Sequence, residues 1–314
     1  MKKHMSRKIR LFIIYILVML FFHIITSGKF LILSNIRVVI SHAIIPTFIV
    51  WALCFIFKAD IMDLSLGAVM VVASTVAGFF GLKFGYLGLV SGGLITGLLL
   101  EYINCKVFSK LKIPSWVTGL AMAMVYESAA AYYSFLCVKN GQEIVHLGDK
   151  VRALGSIPYN IIFWFLGFVL AYILYNYTSI GLNIKAVGGN EEVSSKMGVN
   201  VEKAKVYAVL IGGIFIGLAG AINESYAGRV MPLTGLSSIA LIFQPLAAFL
   251  MAQAMENTLN IVIGATIGAI SISALFNTLT LLGVPSGTWQ EVILGLSVVV
   301  IAGISQKNVR GVVK

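Results

Sequence analysis

The stretch GLNIKAVGGNEEVSSKMGVNVEKAK, Gly181 to Lys205, carries four lysines and three glutamates in a chain that is otherwise mostly apolar. On either side stands an apolar run, at about 157–177 and 205–225. A bilayer core of ~30 Å is crossed by about 20 consecutive apolar residues in a helix, so each run reads as a membrane span. Two spans can be joined by far fewer residues than this insert contains. The fold is therefore read outward from it, as apolar helices punctuated by short polar breaks.

Composition agrees. Hydrophobic residues make up 59% of the 314, charged residues only 11%, and the mean hydropathy is +0.96. Soluble domains carry roughly twice that charged fraction. The apolar runs are continuous rather than alternating, which excludes a barrel. Ten runs stand between polar breaks, at about 11–27, 36–57, 64–82, 86–104, 113–135, 157–177, 205–225, 238–257, 259–281 and 288–305. The first is longer than a signal-peptide core and is read as a retained helix. The expected fold is an all-α polytopic membrane protein, a single transmembrane domain over 1–314.

The net charge of +11 sits in MKKHMSRKIR at the N-terminus, in KVFSKLK at 106–112, and at Lys307, Arg310 and Lys314. Basic clusters beside apolar spans follow the positive-inside rule and suit anionic membrane lipid rather than nucleic acid. Threading from an inside N-terminus (1–10) puts 105–112, 178–204 and the tail 306–314 in the cytoplasm. The near-neutral loop 136–156 then lies outside, and both termini lie inside.

A shift of 171 residues lays GGLITG (92–97) over IGATIG (263–268), and LKIPS (111–115) over LGVPS (282–286). The offset moves the helix order by five. An odd shift reverses orientation, so the reading is two inverted five-helix halves, as in many transporters.

Several chemistries have no motif here. The chain has no nucleotide-binding G-x-x-x-x-G-K-[ST], no H-E-x-x-H and no nucleophile elbow, so an enzyme embedded in the membrane has nothing to support it. Cys54, Cys105 and Cys137 lack metal or redox spacing, and no metal site is expected. Small residues mark packing faces: Gly213, Gly217 and Gly220 in one helix, Gly264 and Gly268 in another. Glu127 lies deep in WVTGLAMAMVYESAAAYY, where a carboxylate is costly and needs either a pathway or a structural partner. Asp63, just before an apolar helix with Ser65 close behind, is a cap that could face a cavity. Glu101, Glu224 and Glu256 lie near span ends and are expected to reach the interface.

Within the insert, Asn190 is placed to cap a helix whose first turn holds Glu191 and Glu192, with Lys196 in the last turn and Gly198 as its stop. The expectation is a helix of about seven residues, 191–197. So short a helix is marginal in water unless something holds it.

These residues resemble the permeases of ATP-binding-cassette importers for simple sugars, the ribose/xylose/galactose type. That family's cytoplasmic loop reads G-x-x-x-x-A-x-G-G-N-x-E-A-A-R-x-x-G-I, and Gly181, Ala186, Gly188, Gly189, Asn190, Glu192 and Gly198 match it. IMDLSLG (61–67), IPSWVTGLA (113–121) and the closing LLGVPSGTWQEVILGLSVVVIA are similar to other family segments. The chain departs from it at Val193, Ser194 and Ser195, and at 239–257, where IALIFQPLAAFLMAQAMEN replaces a glycine-rich turn.

The resemblance implies a translocation subunit in a bacterial inner membrane, not an enzyme, with no cofactor of its own. ATP and Mg would sit on a partner ATPase. A solute-binding protein outside and a second permease, identical or related, would complete the assembly. Contact with the ATPase is expected through Gly188, Gly189, Asn190, Glu192, Ser194, Lys196 and Gly198. The substrate pathway is expected to involve Asp63, Ser65, Trp116, Thr118, Glu127 and Gln244. A secondary transporter driven by an ion gradient stands as the alternative, since inverted halves and Glu127 suit it too.

Overall fold

The structure, a computed structural model, describes residues 7–139, 147, 151–285 and 287–307. Most of the basic N-terminal stretch, residues 140–146 and 148–150 of the 136–156 loop, Ser286 of the repeat and the end of the tail lie outside the described residues. Among those described, every regular element is a helix. The long ones are α1 (Arg7–Ile25), α2 (Leu33–Ile56), α3 (Leu66–Leu111), α4 (Ser115–Lys139) and α5 (Tyr159–Tyr177). After them come α6 (Ser179–Gly189), α7 (Glu191–Lys196), α8 (Val201–Ala227), α9 (Ala240–Met255), α10 (Ile261–Leu281) and α11 (Thr288–Lys307). Short 3-10 turns lie at Phe57–Ala59, Ala153–Gly155 and Ser237–Ile239. Among the described residues seven helices are long and apolar enough to cross a membrane, and the protein is a multi-pass membrane protein.

At 46 residues, a straight α3 would measure about 69 Å, more than twice a bilayer core. It breaks at Gly85, where φ 64 and ψ −147 lie outside the helical region. Residues 66–84 and 86–111 are thus two arms of a hairpin. A Cβ on Gly88 would lie 2.2 Å from the Phe80 carbonyl oxygen, and one on Gly92 3.2 Å from that of Val76. The arms pack backbone to backbone.

The chain divides into two compact units, 44–245 and the pairing of 1–43 with 246–314. In the first, the second arm of α3 lies against α8 through facing glycines. A Cβ on Gly217 would stand 2.4 Å from the Gly93 carbonyl oxygen, and one on Gly97 2.3 Å from that of Gly213. Only the absence of side chains allows that approach. Gly220 faces the first arm, and its carbonyl accepts from Ser74 Oγ at 2.9 Å. Beside this contact Phe48, Trp51 and Phe55 of α2 pack with Trp164 and Phe168 of α5 and Phe215 of α8. At the far end of α8, Ser225 Oγ accepts from the Gly155 amide at 2.9 Å and donates to the Val151 carbonyl at 2.6 Å.

In the other unit, Phe22, Phe30, Val39 and Ala274 form a small core. Asn35 Nδ2 donates to Asn277 Oδ1 at 2.9 Å across it. Gly264 and Gly268 of α10 lie against Ala252 and Ala248 of α9. Cys54, Cys105 and Cys137 are buried and form no disulfide with one another.

Candidate functional site

Residues 178–204, read as a loop holding one short helix, form two helices. Thr178 opens α6: its Oγ1 accepts from the Gly181 amide at 3.1 Å. Gly181, Ile184 and Val187 bury one face. Gly188 seats this helix on the 3-10 turn Phe57–Ala59, where a Cβ would fall 1.8 Å from the Lys58 carbonyl oxygen. No other residue fits that position. Gly189, by contrast, has open space where a Cβ would go.

Asn190 then caps α7, its Oδ1 accepting from the Val193 amide at 2.9 Å. The helix spans six residues. Its end is a Schellman motif: the Val199 amide donates to the Ser194 carbonyl and the Gly198 amide to that of Ser195, each at 3.0 Å, with Gly198 at φ +86. Lys196 Nζ meets Glu192 Oε1 at 2.6 Å on the exposed side. Glu191 pairs with Lys205 and so ties α7 to α8. Ser194 is buried, whereas Val193 is 51% and Met197 79% exposed. The result is a braced polar knob that offers two apolar side chains between charges.

A second cluster is buried within the helices. Asp63 Oδ1 accepts from the Ser65 amide at 2.7 Å, which orders the turn into α3. Asn104 Nδ2 donates to Ser65 Oγ at 2.7 Å and to Asp63 Oδ2 at 3.3 Å. Tyr126 in turn donates to Asn104 Oδ1 at 2.7 Å. Burial pushes the Asp63 carboxyl above its ordinary range, against the hydrogen bonds from Ser65 and Asn104 that lower it.

One residue along α4 from Tyr126, Glu127 turns the other way. Its two oxygens accept from the Leu236 and Ser238 amides, each at 2.8 Å. Here the chain passes through left-handed Gly235 and Leu236 into the 3-10 turn that leads to α9. A carboxylate at a helix start satisfies free amides and complements the dipole. Gly67 brings α3 to the same place, since a Cβ there would stand 2.0 Å from the Ser238 carbonyl oxygen. The beginnings of α3 and α9 therefore meet beside Glu127.

Of the residues expected on a pathway, this junction gathers Asp63, Ser65 and Glu127. Thr118 is buried next to Gly119, whose Cα side abuts Leu64 and Asp63. Trp116 is 48% exposed on α4 and Gln244 half-buried on α9. The expectation that Glu101 and Glu224 reach the interface is overturned: they are 0% and 1% exposed. Glu224 accepts from the Val230 amide at 2.9 Å, because the chain folds back over the end of α8. Asn104, Tyr126 and Ser238 were not singled out from sequence. The spacing of Glu101 and Asn104, one turn apart in an apolar helix, was the available signal.

The chain matches the family model described as branched-chain amino acid transport system, permease component, over residues 35–302. It is 28% identical to the ribose import permease of Bacillus subtilis over 296 residues, 90% of this chain and 88% of that one. Identity to the fructose import permease of Rhizobium meliloti is 24% over 304 residues, covering 94% and 84%. With the ribose import permease of Escherichia coli K12 it is 24% over 276 residues, covering 83% and 82%. No solved structure matches the chain. A multi-pass helical bundle with an exposed capped knob, matched over most of its length to import permeases, belongs to this family of transport-system permease components and is a transport subunit rather than an enzyme.

Proposed function

We propose that the chain is the translocation subunit of an ATP-binding-cassette importer in a bacterial inner membrane. Its cargo is a simple sugar or a related small polar solute. The knob formed by α6 and α7 carries the proposal. It is seated by Gly188 on the turn that leads into α3 and braced to α8 through Glu191, and it presents Val193 and Met197 outward. Such an element passes a push from below to the two helices whose glycine faces form the centre of unit 44–245. Gly188, Gly189, Asn190, Glu192, Ser194, Lys196 and Gly198 are assigned to ATPase contact, with ATP and Mg held on that partner. Asp63, Ser65, Thr118 and Glu127 are assigned to the pathway side, with Trp116 and Gln244 at its margins.

The proposed membrane topology has ten crossings in two inverted halves of five, both termini inside. The hairpin of α3 supplies two of these crossings. In support of the repeat, α3 begins at Leu66 and the 3-10 turn that leads into α9 begins at Ser237, 171 residues apart, the offset at which the sequence overlays itself. A second permease and an external solute-binding protein complete the assembly, with membrane lipid around it.

The test is purification of the tagged chain from its own cells in mild detergent, followed by reconstitution into vesicles. The proposal expects an ABC-type ATPase to come with it, and uptake of labelled ribose or fructose that needs ATP and the binding protein. Uptake by the chain alone, driven by an ion gradient, would replace this reading with the secondary-transporter one.

A further inference from the structure

The structure places Glu101, on the second arm of α3, against Asp63 at the root of the first. Both are buried, Asp63 at 2% and Glu101 at 0% exposure. Neither Glu101 oxygen has a hydrogen-bond partner among the described residues, for the neighbouring carboxylate offers no hydrogen unless one of the two is protonated. We propose that Asp63 and Glu101 form a proton-binding site, in which Glu101 is the acid and donates its hydrogen to the Asp63 carboxylate.

The assignment of roles follows from the donors at hand. Asp63 already accepts from the Ser65 amide and from Asn104 Nδ2, so it is the anion. Glu101 has no donor turned toward it, so it is the acid. Two carboxylates in contact in a low-dielectric interior cannot both ionise. Binding one proton takes the pair from two negative charges to one and fills the vacant hydrogen bond in the same step. The other titratable groups facing the pair are Tyr126 on α4 and Cys105 on α3. Tyr126 spends its hydrogen on Asn104 Oδ1. Glu202 of α8 and Lys106 of α3 stand near Cys105.

A divalent cation fits less well. It takes six or more oxygen ligands, or a set of waters. Among the described residues no third histidine, cysteine, aspartate or glutamate joins the pair to hold a metal ion. The site also lies just past the turn on which Gly188 sits. A movement of that turn that admitted water would release the proton. This consequence rests on the transport reading, but the proton site itself does not.

The test is infrared spectroscopy of the full chain in lipid nanodiscs at neutral pH, comparing wild type with Glu101→Gln and Asp63→Asn. The expected result is a carbonyl band of a protonated carboxylic acid that both variants lose. Asp63→Asn loses it because the new amide donates to Glu101 and leaves that carboxyl ionised. A band unchanged in Glu101→Gln overturns the proposal. A band lost in Glu101→Gln but kept in Asp63→Asn marks a lone protonated glutamate and overturns the pairing. Loss of the wild-type band on exchanging choline for sodium, or on adding calcium, makes the site a metal site and also overturns it. If Glu101→Gln does not fold, Glu101→Asp keeps the acid and has to shift the band; an unshifted band counts against the proposal. Because no transport is measured, failure here leaves the importer reading standing.

Discussion

Gly188→Ala is the substitution that most sharply separates a seated knob from a loose one. The added methyl would fall 1.8 Å from the Lys58 carbonyl oxygen and 2.8 Å from its carbon. Both are main-chain atoms, so no rotamer change relieves the clash. Restoring an ordinary contact of about 3.4 Å means lifting α6 by roughly 1.6 Å, and inserting a methyl into a fixed seat costs about 1–3 kcal/mol. At the upper end, about 3 kcal/mol shifts the docked-to-undocked ratio of α6 by roughly two orders of magnitude. The rest of the bundle stays folded, because the α3–α8 contact lies elsewhere. Amide hydrogen exchange measures this directly. Protection should fall across Ser179–Gly189 while α3 and α8 remain protected, and uptake in reconstituted vesicles should fall with it. Gly189→Ala is the matched control for the seat, since open space surrounds its Cβ position, and its α6 protection should match wild type. Unchanged α6 protection and uptake in Gly188→Ala would refute the seat.

Glu127→Ala removes the acceptor of two backbone amides, Leu236 and Ser238. Bonds to a charged group contribute about 1.5–3 kcal/mol each, so stability should drop by about 3 kcal/mol or more, and Glu127→Gln should lose roughly half as much in thermal unfolding. Gly217→Val places a side chain 2.4 Å from the Gly93 carbonyl oxygen; overpacking of about 3 kcal/mol should reduce folded chain recovered from membranes. Gly295→Ala, with nothing near its Cβ position, should be recovered like wild type. Asn190→Ala should cost α7 about 1 kcal/mol of capping, read as faster exchange at the Val193 amide with α8 unaffected.

The spans were legible because apolar runs and polar breaks alternate cleanly; α2, α5 and α10 start and end within a few residues of expectation. Asn190, the acidic first turn and Gly198 marked α7 because capping chemistry is local. The preceding helix α6 was missed: its three glycines are poor helix formers, and the groups that stabilise it, the Lys58 carbonyl and the face under Ile184, are distant in sequence. Glu101 was misjudged for a similar reason. Distance from the end of a span estimates access to water only for an isolated helix, and here the hairpin of α3 carries Glu101 inward against Asp63. Glu127 was suspect because of its depth, but its partners, two amides more than a hundred residues away, depended on how α9 begins.

In the proposed importer, α7 is the surface through which the ATPase drives the bundle. The most direct measurement is site-specific crosslinking from Val193→Cys in the purified complex, with ATP-dependent uptake followed in parallel. The expected result is a crosslink to the ATPase subunit that changes in yield between nucleotide-free and ATP-bound states, with uptake blocked once the link forms. An ATPase that copurifies yet never links to position 193, with uptake unaffected by a bulky group attached there, would contradict it.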